Sequence, residues 1–257
     1  MFRHNPRHSS LNAFRRPLSV LIILGTILGI AAVHPTYASP GGDLGDAPDS
    51  TNNFGLNMTA YAFGPIAKYP TVYFPGAQPT GPFHQNPVLL FNLGAAVTCE
   101  QQADIGPDCD GINNIDPPAD VADQDRADDG VFWPIFGNCQ RIQVRYSVTV
   151  QPGAPGRAYV NMWADWNSNG MWGDRPICNG AVADEWAVQN QAIALPGPGT
   201  FVYSTPIFLP IRSGRPQWAR FTISESPATW AAARVGSGPA GSWKYGETED
   251  YILPSAA

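Results

Sequence analysis

Ile142, Val144, Tyr146, Val148 and Val150 alternate with Gln143, Arg145, Ser147 and Thr149. A period of two puts every apolar side chain on one face of a strand and every polar one on the other, so another layer must cover the apolar face. The turn Pro152-Gly153 ends the run. Val88 to Leu93, Ala158 to Asp165, Phe201 to Tyr203, Ile207 to Leu209, Trp218 to Ser224 and Tyr251 to Leu253 read as further strands. They are short, and 26 proline and 26 glycine residues punctuate the chain with turns. No helical period appears beyond the first forty residues, and Ala228 to Ala233 is at most one helical turn. The predicted fold class is all-β, an antiparallel β-sandwich with a long irregular N-terminal segment and an acidic loop.

The N-terminus predicts export. Arg3, Arg7, Arg15 and Arg16 precede the apolar run Leu18 to Val33, and Thr36-Tyr37-Ala38 offers a small-x-small cleavage site, so residues 1–38 read as a signal peptide. The run is shorter than about 20 residues, which favours a cleaved signal over a retained anchor, with no stable membrane insertion after cleavage. Arg15-Arg16 leaves twin-arginine and general export both open. The mature chain, starting near Ser39, keeps 11 basic residues against all 21 acidic ones, a formal charge of −10. Such a surface repels nucleic acid and anionic headgroups. Residues 39–87 read as a proline-rich leader draped over the domain formed by 88–257. Within that domain 104–129 is an acidic loop carrying nine aspartates. A second cation site there is one reading and a solvated loop is the other.

Four cysteines, Cys99, Cys109, Cys139 and Cys178, all lie in the exported part. An even count in an oxidising compartment points to two disulfides, and of the three pairings we expect Cys99 with Cys109 and Cys139 with Cys178. Zinc is the competing use, but there is no Cys-x-x-Cys pair and His84 is the one histidine after the signal.

Met162 to Asp174 carries a cation-loop pattern. Asp165, Asn167 and Asn169 present oxygens at alternate positions, Gly170 permits a tight turn, and the Met171 carbonyl falls where an EF-hand loop uses one. Pro176 stands where that loop needs its bidentate Glu, so a helix-flanked EF-hand is excluded, and Asp174 or Glu185 must close the shell instead. Hard oxygens suit Ca²⁺ as a structural cofactor. The competing reading is an Asx-type turn satisfied by its own backbone. Trp163, Trp166 and Trp172 flank the loop and place it at the edge of a core.

Tyr245-Gly246-Glu247-Thr248-Glu249-Asp250-Tyr251 near the C-terminus resembles the closing motif of the GEVED domain, a bacterial extracellular family, with Thr248 in place of Val. Asp128-Asp129-Gly130-Val131 looks like that family's approach to its first strand, Tyr159 to Trp172 like its Trp-Asp-Asn-Gly loop, and Trp218-Ala219-Arg220-Phe221 like its Ala-Arg-Phe strand. Asp43 to Ser50 is similar to its acidic leader. Asn169 in place of Asp, and the insertion holding Cys178, depart from the pattern. The resemblance implies a secreted or cell-surface β-domain, an accessory part of larger exoproteins without a known reaction. No nucleophile elbow, zinc-protease helix or phosphate loop occurs, so no catalytic residue is assigned. The alternative function is a secreted carbohydrate-active hydrolase using an Asp/Glu pair. A cell-surface glycan or protein ligand is the expected partner class, with Trp230 and Trp243 as candidate contacts, and oligomeric state is left open. The leader around Asp46 and the closing Glu247, Glu249 and Asp250 are expected to converge on a cation or on Arg220, because like charges need a counter-charge to meet.

Overall fold

A computed structural model describes residues 42–51, 57–97, 127–212 and 214–253. The expected signal peptide, the Cys99–Cys109 pair and nearly all of the acidic loop lie outside the described residues. Among the described residues there are ten strands: β1 (Phe91–Leu93), β2 (Val131–Phe132), β3 (Arg145–Val150), β4 (Arg157–Ala164), β5 (Ile177–Cys178), β6 (Ala181–Val182), β7 (Trp186–Ala194), β8 (Gly199–Ser204), β9 (Gln217–Ser224) and β10 (Gly246–Leu253). A 3-10 turn covers Ala231–Val235. No helix among the described residues is long and apolar enough to cross a membrane.

The alternating segment is the centre of the first sheet. β8 pairs along the whole of β3, while β1 and β2 share its other side, β1 against Val148 to Val150 and β2 against Arg145 and Tyr146. The second sheet runs β10-β9-β4-β7, antiparallel throughout. Ile142, Val144, Tyr146, Val148 and Val150 are buried and meet Val160, Met162, Ala219, Phe221 and Ile223 of the second sheet, so the alternation forms one face of an antiparallel sandwich core.

All eight residues of β9 are buried, which a two-layer sandwich cannot achieve for its outer face. Ala219, Phe221 and Ile223 face the sandwich core, and Trp218 packs with Ala47, Tyr61, Ala67 and Tyr69 of the leader. The leader is therefore a third layer over the second sheet. Its irregular backbone is tied down by side chains: Trp218 Nε1 donates to the Ala60 carbonyl (2.8 Å) and Thr71 Oγ1 to that of Ala47 (2.7 Å).

Four segments differ from the expected strands. β7 carries no strand signal because its sequence, Trp-Ala-Val-Gln-Asn-Gln-Ala-Ile-Ala, is poor in β-branched residues; pairing with β4 along Arg157 to Trp163 holds it extended. β5 and β6 form a hairpin whose Asn179 and Gly180 both have positive φ (50° and 78°), the conformation an Asn-Gly turn favours. Ile207 to Leu209 makes a single bridge, Phe208 to Ile142, rather than a strand. A disulfide joins Cys139 to Cys178, with Cα atoms 5.6 Å apart, and anchors this hairpin to the loop after β2.

Candidate functional site

The loop after β4 folds around Asp165, which is fully buried. Its Oδ2 accepts from Tyr61 Oη (2.8 Å), Tyr69 Oη (2.7 Å) and the Gly170 N–H (2.8 Å), and its Oδ1 accepts from the Asn169 N–H (3.0 Å). Asn167 Oδ1 accepts from the same Asn169 N–H (3.0 Å), and Asn169 Oδ1 from Met171 N–H (3.1 Å), giving successive Asx turns. Both amide nitrogens then donate to Asp174 Oδ2, at 2.9 Å from Asn167 and 2.7 Å from Asn169. Asp165, Asn167, Asn169, Met171 and Asp174 are thus linked in one network, Met171 through its N–H. Gly170 sits at φ 86°, and a Cβ there would meet the Ile66 carbonyl at 2.6 Å, so the turn requires glycine.

The tyrosines change the role of Asp165. Burial is the largest influence on its carboxyl and pushes it upward, and the four hydrogen bonds pull it back. The sequence pattern casts Asp165 as a cation ligand; its surroundings also make it a core acceptor joining leader and loop. Burial likewise raises the hydroxyls of Tyr61 and Tyr69, so both remain donors to it.

Glu185 lies beside this network, just before β7. It is fully buried, its Oε2 accepts the Asp174 N–H at 2.8 Å, and the Asn167 N–H faces the same carboxylate. Its Oε1 is buried with no partner. Burial, with the charges of Asp165 and Asp174, pushes Glu185 up to about 8 against those backbone donors. Among the described residues no three acidic, imidazole or thiol groups converge closely enough to hold a metal by themselves. A cation here would draw on amide and carbonyl oxygens as well, and a half-turn of the Asn167 or Asn169 amide toward it gives up the Asx-turn bond to the Asn169 or Met171 N–H.

A second constellation surrounds the closing motif. Strand geometry sends Glu247, Glu249 and Tyr251 to one face of β10 and Thr248 and Asp250 to the other. On the first face, Glu247 Oε2 accepts the Leu93 N–H (2.6 Å), Glu249 Oε1 accepts the Gly130 N–H (2.8 Å), and Tyr251 Oη donates to Glu249 Oε2 (2.8 Å). On the other face, Asp43 Oδ2 accepts the Thr248 N–H (2.8 Å) and Asp250 Oδ2 the Ala47 N–H (2.7 Å). Arg220 completes the knot, with Nε on Asp250 Oδ1 (2.7 Å), Nη2 on Asp250 Oδ2 (2.5 Å) and on Thr71 Oγ1 (2.9 Å), and Nη1 on the Pro70 carbonyl. Its guanidinium lies over the Trp172 ring at 4.7 Å. Leader and tail therefore meet at Arg220, which pairs with Asp250 and reaches the leader through the Pro70 carbonyl and Thr71 Oγ1, while Glu247 and Glu249, expected at the same charge, take backbone donors on the opposite face.

No family model, curated protein or solved structure matches this chain.

His84 closes the same face of β10. It is buried, Nδ1 lies 3.2 Å from the Tyr245 carbonyl and Nε2 3.1 Å from Thr248 Oγ1, an arrangement that fits a neutral ring donating through Nδ1 and accepting at Nε2. Burial, with the Arg220 charge adding to it, lowers His84 to about 3. A depressed histidine contributes stability above its unfolded value near 6.5 that is lost progressively as pH falls toward 3. Between pH 7.5 and pH 4 the gap between wild type and a non-titrating His84→Gln variant should move by about 3 kcal/mol in the variant's favour. Urea unfolding of both proteins at the two pH values checks this, and a constant gap would refute the burial of a neutral ring.

The remaining sequence candidates separate. Trp243 is 1% exposed and packs between His84 (4.9 Å) and Trp230 (5.7 Å), so it is a core residue rather than a ligand contact, and Trp230 is half-buried beside it. A cavity of about 470 Å³ opens in the leader between Ile66, Lys68, Val72, Phe74 and Pro79. Its one lining carboxylate, Asp49, accepts N–H groups from Thr51, Thr71 and Val72.

Proposed function

We propose that this chain is an exported module acting outside the cell as a calcium-stabilised β-sandwich, in a structural, adhesive or ligand-binding role, akin to the GEVED domain. The observation that carries the reading is the loop from Asp165 to Asp174, where Asn167 and Asn169 both close on one carboxylate and Glu185 stands buried beside it. A hard divalent cation would replace the amide donors there as the counter-charge.

Convergence of the motifs supports the family likeness. The leader, the Asp-Gly approach to β2, the Ala-Arg-Phe strand and the closing motif are separated by up to about 200 residues, and they meet through Asp43, Gly130, Arg220 and Glu249. Their acidic groups accept hydrogen bonds from backbone and arginine, so the motif's role is to lock the layers. This supports a rigid module rather than a cleft with free acids, and no catalytic residue is proposed.

The test uses the mature protein from Ser39. With few charged ligands the site falls among weak extracellular sites, near 10⁻⁴ M, so 2 mM calcium should add about 1 to 2 kcal/mol over EDTA, a rise of roughly 3 to 6 °C in the thermal midpoint. The same addition of magnesium should do less, because magnesium demands stricter geometry and keeps its water. An unchanged midpoint would reduce the loop to a turn. Recovery of a chain beginning near Ser39 from the cell exterior tests the export half, and a glycan array on that material tests the ligand class.

A further inference from the structure

We infer that Glu185 is the carboxylate that closes the shell of the loop's cation, so that the site spans both the loop and the start of β7. The inference rests on the calcium reading of the loop and decides between its two shell-closing candidates, Asp174 and Glu185, for Glu185.

Three observations converge on Glu185. Its Oε1 is buried and unpartnered, and a buried carboxylate oxygen without a donor is costly unless something positive reaches it. Its Oε2 is held by the Asp174 N–H, which turns the carboxylate toward the turn that also carries Asn167 and Asp174. The arginines near the loop go elsewhere: Arg175 Nε (3.2 Å) and Arg234 Nη2 (2.9 Å) both pair with Asp184. Among the described residues none makes an ion pair with Glu185. Adjacent acids thus divide the work, Asp184 neutralised by the protein and Glu185 not.

The intervening segment fixes this geometry. Asp174 and Glu185 are joined backbone to backbone by the Glu185 N–H on the Asp174 carbonyl (3.1 Å), so the hairpin between them is a closed excursion clamped by the Cys139–Cys178 disulfide. Arg234 Nε on the Gly173 carbonyl (3.0 Å) straps the loop to the same place. A carboxylate eleven residues beyond Asp174 therefore occupies the shell-closing role that Pro176 cannot fill. Mixed amide, carbonyl and carboxylate oxygens on a wide turn suit calcium rather than magnesium.

The experiment is calcium titration calorimetry on the mature protein, paired with terbium luminescence sensitised by the neighbouring indoles, for wild type, Glu185→Gln and Glu185→Asp. Glu185→Gln should bind calcium at least about tenfold more weakly, because charge count sets affinity in such sites. Its midpoint in EDTA should stay close to wild type, since the glutamine amide oxygen can still accept the Asp174 N–H in place of Glu185 Oε2. Glu185→Asp keeps the charge and should fall between; if Glu185→Gln does not fold, unchanged affinity in Glu185→Asp overturns the inference. Wild-type affinity in Glu185→Gln also overturns it and leaves the calcium reading standing. A wild type that binds no calcium removes both.

Discussion

Arg220→Met should destabilise the mature protein by about 3 to 5 kcal/mol, because it leaves Asp250 charged, fully buried and without its partner. The variant removes the guanidinium and keeps an apolar side chain in its place, so the loss reports the charge, its hydrogen bonds and its stacking on the Trp172 ring. It also frees the Pro70 carbonyl and Thr71 Oγ1, both on the leader. The leader is therefore expected to loosen before the sandwich does, with early proteolytic cuts between residues 42 and 87 and a protected remainder. Asp250→Leu added to Arg220→Met should recover only part of the loss, since the Ala47 N–H has lost its acceptor as well. Urea denaturation and limited proteolysis of both variants decide the matter. A cost below about 1 kcal/mol for Arg220→Met, or a leader that stays protected, would mean that aromatic packing alone holds the third layer.

Much of this architecture is visible in the chain, and what is hidden has physical reasons. The alternation of β3 and the apolar runs of β4 and β9 mark their strands because burial demands periodic side chains. β7 lacks that mark, since Gln189, Asn190 and Gln191 are chosen for an edge: Asn190 has φ 50° and its amide bonds Asn161 and Ala228 across the bend. The hairpin of β5 and β6 does carry a signal, Asn179-Gly180, but its strands are two residues each, too short to show a period. Convergence of the acidic leader and tail on Arg220 could be argued from sign alone. The work of Glu247 and Glu249 could not, because their partners are the N–H groups of Leu93 and Gly130, and backbone donors left over at strand ends have no sequence signature.

Burial explains why these acids resist a reading by charge. Glu249 is fully buried, and burial, with the Asp129 charge, pushes it up to about 8 while Tyr251 and Gly130 donate to it. Such a group belongs to the hydrogen-bond inventory of the core rather than to the surface field that a net charge describes. The Gly130 position shows how tight the contact is, since a Cβ there would meet Glu249 Oε1 at 2.9 Å and the Gly94 nitrogen at 2.5 Å. The acidic motif and the glycine before β2 are therefore one structural device in two pieces.

Asp165→Ala is expected to cost about 3 to 5 kcal/mol in EDTA, with no cation involved. Spacing alone predicts a milder result, the loss of a calcium increment in an otherwise intact sandwich. The difference lies in Tyr61 and Tyr69, about 100 residues upstream, whose hydroxyls reach Asp165 Oδ2 only because the leader folds over the second sheet. Removing the carboxylate strands two buried hydroxyls and the Gly170 N–H, while the Asn169 N–H keeps Asn167 Oδ1. The two hydroxyls stand 2.9 Å apart and can bond each other, which holds the loss below the sum of four separate donors. A double-mutant cycle isolates the term: Tyr69→Phe alone should cost about 1 to 2 kcal/mol, and its cost should shrink by more than half in the Asp165→Ala background. The same variants unfolded in 2 mM calcium separate the two roles, because the core role is present in EDTA and ligation adds to it only when the metal is there. An Asp165→Ala protein as stable as wild type in EDTA would return Asp165 to the surface role that its spacing suggests.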